Sequence, residues 1–370
     1  MIVVVGSGII GLSVAEFLTR SGERSVTIVS SSHFSPASQA AAANLATKAQ
    51  AFARDPHFAI KLAGKMKYPE WLEKLRAESA FNGSLSSIYS CGVGRDLFES
   101  QELADRQWMR VRQDEAQIAA WGLPPQKLRR IDGQTIECDD EAWVDAASLL
   151  RMLESVCRKR GVVFHEADVR DIESWSRELQ SAEAVVLCAG AGTVQILESW
   201  PSVELPPAFS KSLRWSFGGT LTIHDSGVQL GEGVALLEKV GSSEPSKVTF
   251  SGAHGTLFCS SVSIPCVFPH RPMSDGDPAL QNISLQQDVV FRKVREVFGI
   301  EPQQKRWEWK WGHRLGFGHR EWLVERVPHS LPHLKGPLVV AAGVHKSGYL
   351  AAPLMGELVM QKLQGEIPFP

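Results

Sequence analysis

Ile2, Val3, Val4 and Val5 form an unbroken β-branched run, the pattern of a strand buried on both faces of a parallel sheet. Ile10, Val14, Phe17 and Leu18 then recur at helical spacing until Gly22, and Val26 to Val29 returns to a strand. The first thirty residues therefore predict a β-α-β unit. Residues 59–79 and 101–121 predict two solvent-facing helices, with Trp71, Leu72, Leu75, Leu103, Trp108 and Trp121 turned to the core and Pro124-Pro125 ending the pattern. After Asp145 a helix runs through Leu149, Leu150, Leu153 and Val156 to Gly161, and strands follow at 162–165 and 184–188. Between 211 and 300 the pattern changes to short strands, such as 248–250 and 256–259, divided by small polar turns, which reads as a packed β-rich insertion. Trp307, Trp309 and Trp311 alternate with Glu308 and Lys310 as one strand with an aromatic, core-packed face. A last buried strand, 337–343, leads through a glycine turn into a helix.

Length and composition narrow the classes. A chain of 370 residues, 44% hydrophobic and 22% charged, is a folded protein of two or three units, not a fibrous or disordered one. Its 39 basic and 41 acidic residues give a formal charge of −2, so nucleic acid and anionic membrane are disfavoured as partners and a small molecule is expected. Six cysteines, Cys91, Cys138, Cys157, Cys188, Cys259 and Cys266, show no metal-ligand spacing and no disulfide framework. His329 and His333 stand four apart, but Pro332 between them argues against a helix that would converge them, so no metal site is expected. The start of the chain carries no basic leader region, and no apolar stretch reaches the roughly 18 residues of a membrane span, so a cytoplasmic location is expected.

The chemistry begins at Gly6-Ser7-Gly8-Ile9-Ile10-Gly11, directly after a strand and opening a helix. In a G-x-G-x-x-G of this context Gly6 makes the tight turn, Gly8 lets a pyrophosphate approach the backbone, and Gly11 packs helix on strand. The acid expected at the end of the second strand is absent, and Ser30, Ser31 and Ser32 stand there, a change that also admits NADP at this point. The stretch from Ala37 and Ser38 through Ala42, Ala43 and Asn44 to Leu45 reads either as a helix start capped by Ser38 or as a nearly side-chain-free surface for close approach of a cofactor.

Four segments in this order resemble the D-amino-acid oxidase superfamily of FAD-dependent enzymes, especially its glycine and sarcosine oxidase branch. They are Gly6 to Gly11, the Ala37 to Leu45 stretch (similar to the family's Ser-x-Ala-Ala-x-Gly loop, with Ala43 at the usual glycine), Val144-Asp145-Ala146 with Ala184 to Gly192, and Gly343 to Gly356. The resemblance covers most of 1–50, 140–195 and 305–362. It implies an α/β fold in which a discontinuous Rossmann-type FAD-binding domain (1–80, 141–210 and 306–370) carries an inserted α+β, β-rich substrate domain (81–140 and 211–305). By the same resemblance Gly6, Gly8, Ile9, Ile10, Gly11, Ser30, Ser31, Ala37, Ser38, Ala42, Ala43, Asn44, Val169, Ala189 and Gly190 would hold FAD. Gly343, Val344, His345, Lys346, Ser347, Gly348, Tyr349 and Leu350 would cover the flavin ring.

The family's substrate clamp is an arginine in a Gly-x-Arg motif and a second basic residue in the tail. Here these positions read Gly312-His313-Arg314 and Lys346, so Arg314 and Lys346 are the expected carboxylate anchors, with lysine lacking the arginine fork. Residues 343–370 contain no cysteine, so the flavin is expected to be non-covalent. The implied reaction is oxidation of the amine of a small amino acid or N-alkyl amino acid to an imine that hydrolyses, with oxygen or another acceptor taking the electrons. A homo-oligomer is compatible with this. Two alternatives stay open: a flavin module acting on a glycine-like group of modified tRNA, and a catalytically lapsed flavin-fold binding subunit.

Overall fold

The computed structural model describes residues 1–22, 24–31, 37–47, 58–120, 127–200, 203–204, 213–241, 247–253, 255–261, 264–265, 278–317, 323–331 and 333–365. Ser32, Trp121, Pro124, Pro125, Cys266 and Pro332 lie outside them. Two sheets organise the chain.

The first sheet is built on β1 (Ile2–Val5), whose four residues are all buried, as the apolar run predicts. Helix α1 (Ile9–Leu18) crosses to β2 (Val26–Ser30), which pairs parallel with β1. Before the chain returns to this sheet it forms α2 (Phe58–Glu78), β3 (Tyr89–Phe98), α3 (Gln101–Ala120), β4 (Leu128–Arg130) and β5 (Thr135–Val144). Helix α4 (Ala146–Lys159), capped by the Asp145 carboxylate accepting from Ala147 N–H, then leads to β6 (Val163–Glu166). Two short helices, α5 (Ser176–Ser181) and α6 (Thr193–Ser199), flank β7 (Ala184–Leu187).

The insertion follows as β8 (Leu213–Ile223), β9 (Val234–Val240), β10 (Lys247–Ala253), β11 (Thr256–Ser261), β12 (Ile264–Pro265) and α7 (Pro278–Phe298). The chain ends with β13 (Trp307–Phe317), β14 (Leu323–Val327), β15 (Leu338–Ala342) and α8 (Gly348–Gln364). The first sheet has the order β14-β15-β7-β1-β2-β6, parallel except where β14 meets β15. Its carboxyl strand ends therefore gather on one edge, where α/β sheets bind ligands. The second sheet has nine strands, β12-β8-β11-β10-β9-β3-β5-β4, with β13 also paired to β8.

This is a Rossmann-type α/β fold with an inserted β-rich domain. The insert's sheet reaches further along the chain than a boundary at 305/306 places it. All eleven residues of β13 pair antiparallel with β8, from Trp307↔Ile223 to Phe317↔Leu213, so the strand belongs to the nine-stranded sheet. The Trp309 side chain packs with the α7 core, and Trp307 meets Phe291 of α7 edge-on.

Helix α2 also departs from its expected solvent-facing character. It buries Phe58, Lys61, Lys65, Tyr68, Trp71, Leu72 and Leu75, and Gly64 lies so close to the Leu350 carbonyl that a Cβ there would come within 2.1 Å of the oxygen. Lys65 is buried because it has partners: Nζ donates to Thr47 Oγ1 at 3.3 Å and lies 3.9 Å from the Glu141 carboxylate, whose Oε1 accepts from Thr47 N–H. Paired lysines read as surface residues in a sequence.

Candidate functional site

One cavity of about 380 Å³ opens along the carboxyl edge of the first sheet, within the size range of small-molecule sites. Its floor comes from the turns after four parallel strands: Gly6 and Gly8 after β1, Ser30 and Ser31 at the end of β2, Ala189 and Gly190 after β7, and Gly343 after β15. Gly6 has φ +110°, and a Cβ there would lie 2.6 Å from the Cys188 carbonyl oxygen, so only glycine fits. Gly8 has an ordinary extended backbone and supplies no side-chain cap to α1. The first turn of α1 thus faces the cavity with backbone N–H groups, the arrangement that binds phosphate.

The 37–47 segment settles between the two readings of its sequence: it forms a turn and an extended loop, not a helix. Ser38 Oγ accepts from Ile9 N–H at 2.9 Å, so the serine caps α1 and not its own segment. A chain of hydrogen bonds fixes this corner. Tyr68 Oη donates to the Tyr349 carbonyl at 2.6 Å, and Tyr349 Oη donates to the Ser38 carbonyl at 2.7 Å. Burial, then the Asp145 charge, hold the Tyr349 phenol far above its usual pKa, so it remains a donor. The other side of the loop is stitched to the nine-stranded sheet, where Thr220 Oγ1 donates to the Ala40 carbonyl at 2.7 Å and Leu45 N–H to the Ala142 carbonyl at 2.8 Å.

Ala43 has φ +50°, a left-handed conformation at the position where the resembling loop has glycine. Ala43→Gly is expected to stabilise the fold by about 1 kcal/mol, read as a raised midpoint in thermal melting, because it removes that strain.

The second sheet closes the cavity. Arg314 stands opposite Ser216 in the β13–β8 register, and its guanidinium lies over the Gly218 backbone, where an added Cβ would come within 2.7–2.8 Å of it. Burial draws the Arg314 pKa down to about 10, which leaves it charged at neutral pH. Beside it His345, at φ +42°, shares a 2.9 Å hydrogen bond between Nε2 and Ser216 Oγ, while its backbone N–H donates to the Leu315 carbonyl at 3.0 Å.

Burial first, then the charges of Arg314, Lys346, Lys61 and Arg214, push His345 from 6.5 to about 3. The ring is thus neutral, and in the window between about 3 and 6.5 only the unfolded chain takes up its proton. His345 therefore removes stability as pH falls through 6.5 toward 3. His345→Gln is expected to flatten the decline in melting temperature between pH 7 and pH 4.

Nearly all the residues singled out from sequence line this one cavity. Ile9, Ile10, Ala37, Ser38, Ala42, Asn44, Val169, Val344, Lys346, Gly348, Tyr349 and Leu350 do so with those already named. Gly11 and Ser347 do not. A Cβ on Gly11 would meet the Gly6 carbonyl oxygen at 1.9 Å, so this glycine packs α1 behind the wall, and Ser347 is buried at the start of α8. Lys346 is exposed at the rim.

Four residues of the cavity had no motif to announce them: Glu238, Lys247, Thr249 and Ser260. Each comes from β9, β10 or β11, and only register brings Glu238, Thr249 and Ser260 into one row. The one local hint is a polar residue alternating with apolar ones, as in Val248-Thr249-Phe250. Among the described residues no cluster of His, Cys, Asp or Glu could hold a metal ion, and no helix is long and apolar enough to cross a membrane.

Residues 1–362 match the family model described as FAD dependent oxidoreductase. The chain belongs to that family. Among solved structures it resembles iminodiacetate oxidase from Chelativorans sp. BNC1 (TM-score 0.71, 18% identity, 100% of this chain and 97% of that one). Glycine oxidase from Geobacillus kaustophilus gives TM-score 0.71 and 18% identity over 99% and 95%. At such identities these two show the fold. A bifunctional ThiO/ThiG protein of Synechocystis sp. is 30% identical over 175 residues, which are 45% of this chain and 24% of that protein. The match thus spans about a quarter of that relative's length.

This oxidoreductase uses FAD held without a covalent link, and its cavity fits the cofactor on its own terms. Gly6 and Gly8 leave the backbone open, α1 offers N–H groups, and Asn44 Oδ1 is buried on the cavity side with no hydrogen-bond partner among the described residues. An unpartnered buried oxygen is costly unless a ligand supplies the donor.

Proposed function

We propose that the protein oxidises the amine of a small amino acid or N-alkyl amino acid, with the substrate carboxylate on Arg314. The observation that carries this is a half-buried arginine whose guanidinium lies over Gly218 in the cavity wall, in the same cavity as the Gly6–Gly8 cradle. Bound FAD supplies the two-electron acceptor: a hydride leaves the carbon bearing the neutral amine, and the resulting imine is hydrolysed by water. What remains for the chain is positioning.

Arg314 offers a fork of donors to a carboxylate, and the low-dielectric wall strengthens that pairing. Lys346 adds a second positive charge at the rim. His345, neutral, does not compete as a cation, and its bond to Ser216 holds the β8 residue directly opposite Arg314. The backbone of Gly6, Gly8, Ile9 and Ile10 would hold the pyrophosphate, Ser30 and Ser31 the ribose, Val169 the adenosine side, and Ala42 to Asn44 with Val344 to Leu350 the flavin. Similarity to an iminodiacetate oxidase and a glycine oxidase supports a glycine-like amine, and electrons would pass on to oxygen or another acceptor.

Product analysis tests this reading. The FAD-loaded protein incubated in air with sarcosine or glycine should yield glyoxylate together with methylamine or ammonia. Absence of any oxo acid from these and from a panel of D-amino acids and proline would refute it.

A further inference from the structure

The far wall of the cavity carries an ion pair. Lys247 Nζ lies 2.7 Å from Glu238 Oε2, and Thr249 Oγ1 donates to Glu238 Oε1 at 3.1 Å. The Glu238 side chain is only 5% exposed and that of Lys247 33%, so the carboxylate is the buttress and the ammonium is the member presented to the cavity. An ion pair in a protein wall is seldom worth its desolvation as a stabilising device, and apolar residues would serve there as well or better. Its place in a binding cavity calls for another use.

The charges of the wall point the same way. Among the described residues lining the cavity, Lys247, Arg314 and Lys346 are cations and Glu238 is the one carboxylate. The two charges of an FAD pyrophosphate would fall to the Gly6–Gly8 turn after β1 of the first sheet, whereas Arg314 and Lys247 stand on β13 and β10 of the second. Geometry sets where a second anion would sit. Arg314 lies over β8, and the Lys247–Glu238 pair spans β10 and β9, two and three strands away in the order β8-β11-β10-β9. With strands ~4.8 Å apart the two cationic heads are separated by roughly 10 to 14 Å. Subtracting a charge-assisted hydrogen bond of ~2.8 Å at each end leaves roughly 4 to 9 Å.

We infer that Lys247, held by Glu238 and Thr249, binds the second carboxylate of an amino dicarboxylate whose first carboxylate sits on Arg314. Substrates of this class are an N-carboxyalkyl glycine or an acid of glutamate size. The assignment rests on the amine-oxidation reading and narrows it, and it makes Lys247 a specificity-determining residue with no part in the redox step.

The test is a binding measurement that needs no turnover. By calorimetry on the FAD-loaded protein, glutarate is expected to bind about ten- to hundredfold more tightly than butyrate, the worth of one charge-assisted hydrogen bond. Lys247→Met should shrink that preference below about threefold while leaving the bound-flavin spectrum in place. The double variant Glu238→Gln with Lys247→Met, which leaves no buried charge unpaired, should do the same and covers the case in which the single variant fails to fold. Equal binding of glutarate and butyrate by the unaltered protein would overturn the inference, and so would a preference that survives both variants. Kinetics separate this from the broader reading: a lower KM for iminodiacetate than for sarcosine, lost in Lys247→Met, supports both. Turnover of sarcosine with no dicarboxylate preference keeps amine oxidation and removes the role of Lys247.

Discussion

Arg314→Ala is expected to lower kcat/KM for an amino acid substrate by about a thousandfold while the protein keeps its flavin. Truncating one partner of a buried, hydrogen-bonded charge pair costs about 2–5 kcal/mol, and a substrate carboxylate left in this wall has no equal donor to replace the guanidinium. Lys346 stands exposed at the rim and cannot offer a bidentate fork, so it should recover little of the loss. Arg314→Lys should fall between, since a point charge keeps attraction and loses the paired geometry. Gly218→Ala provides a finer probe of the same contact. Its methyl group would sit 2.7–2.8 Å from the guanidinium atoms, and the side chain must shift to accommodate it, so KM should rise about tenfold with the arginine still present. If Arg314→Ala turns over substrate normally, the carboxylate is held elsewhere.

Gly8→Val is expected to yield folded protein that purifies without flavin. The backbone at Gly8 is extended, with φ −74° and ψ −177°, so a β-branched residue adopts it without strain. Around a Cβ at this position the nearest atom is Ser38 Oγ at 3.0 Å, a neighbour able to yield by a few tenths of an ångström. The isopropyl group would instead enter the cavity at the foot of α1 and block close approach of a pyrophosphate to the backbone. FAD affinity should fall by at least about a hundredfold, measured by flavin fluorescence on titration, with the far-ultraviolet circular dichroism unchanged. Gly6 would make a poorer test, because its positive φ and its packing against Cys188 would confuse loss of cofactor with loss of fold.

What could be read from the sequence was local. The β1-α1-β2 unit, the glycines that follow β1, and the strand, glycine turn and helix at the tail are each written in a few consecutive residues. Each sits where that pattern predicts. The small-residue loop from Ala37 to Leu45 was ambiguous because alanines suit both a helix and a surface for close approach. Partners decide it: Ser38 caps α1, and Ala40 and Leu45 bond to the distant strands β8 and β5.

The rest depends on pairings that no local pattern encodes. β13 joins β8 some ninety residues earlier in the chain, which moves the edge of the inserted domain. Glu238 and Thr249 face one cavity only because β9 and β10 pair in that register. Lys65 is buried because Thr47 and Glu141, distant from it in the chain, stand beside its ammonium. Cavity residues on the Rossmann side are therefore legible, and so is Arg314 through its Gly-x-Arg motif, whereas Glu238, Lys247, Thr249 and Ser260 on the other strands of the insert's sheet are not.

A single cavity holding both the flavin and a carboxylate-anchored amine has a consequence visible in an anaerobic absorption spectrum. The flavin absorbance of the purified protein should bleach on addition of an amino acid or amino dicarboxylate and stay unchanged with the matching amine that lacks a carboxylate. Bleaching by the amine alone to the same extent, or no bleaching by any amino acid while flavin is bound, would show that the cavity does not anchor an amino acid against the flavin by its carboxylate.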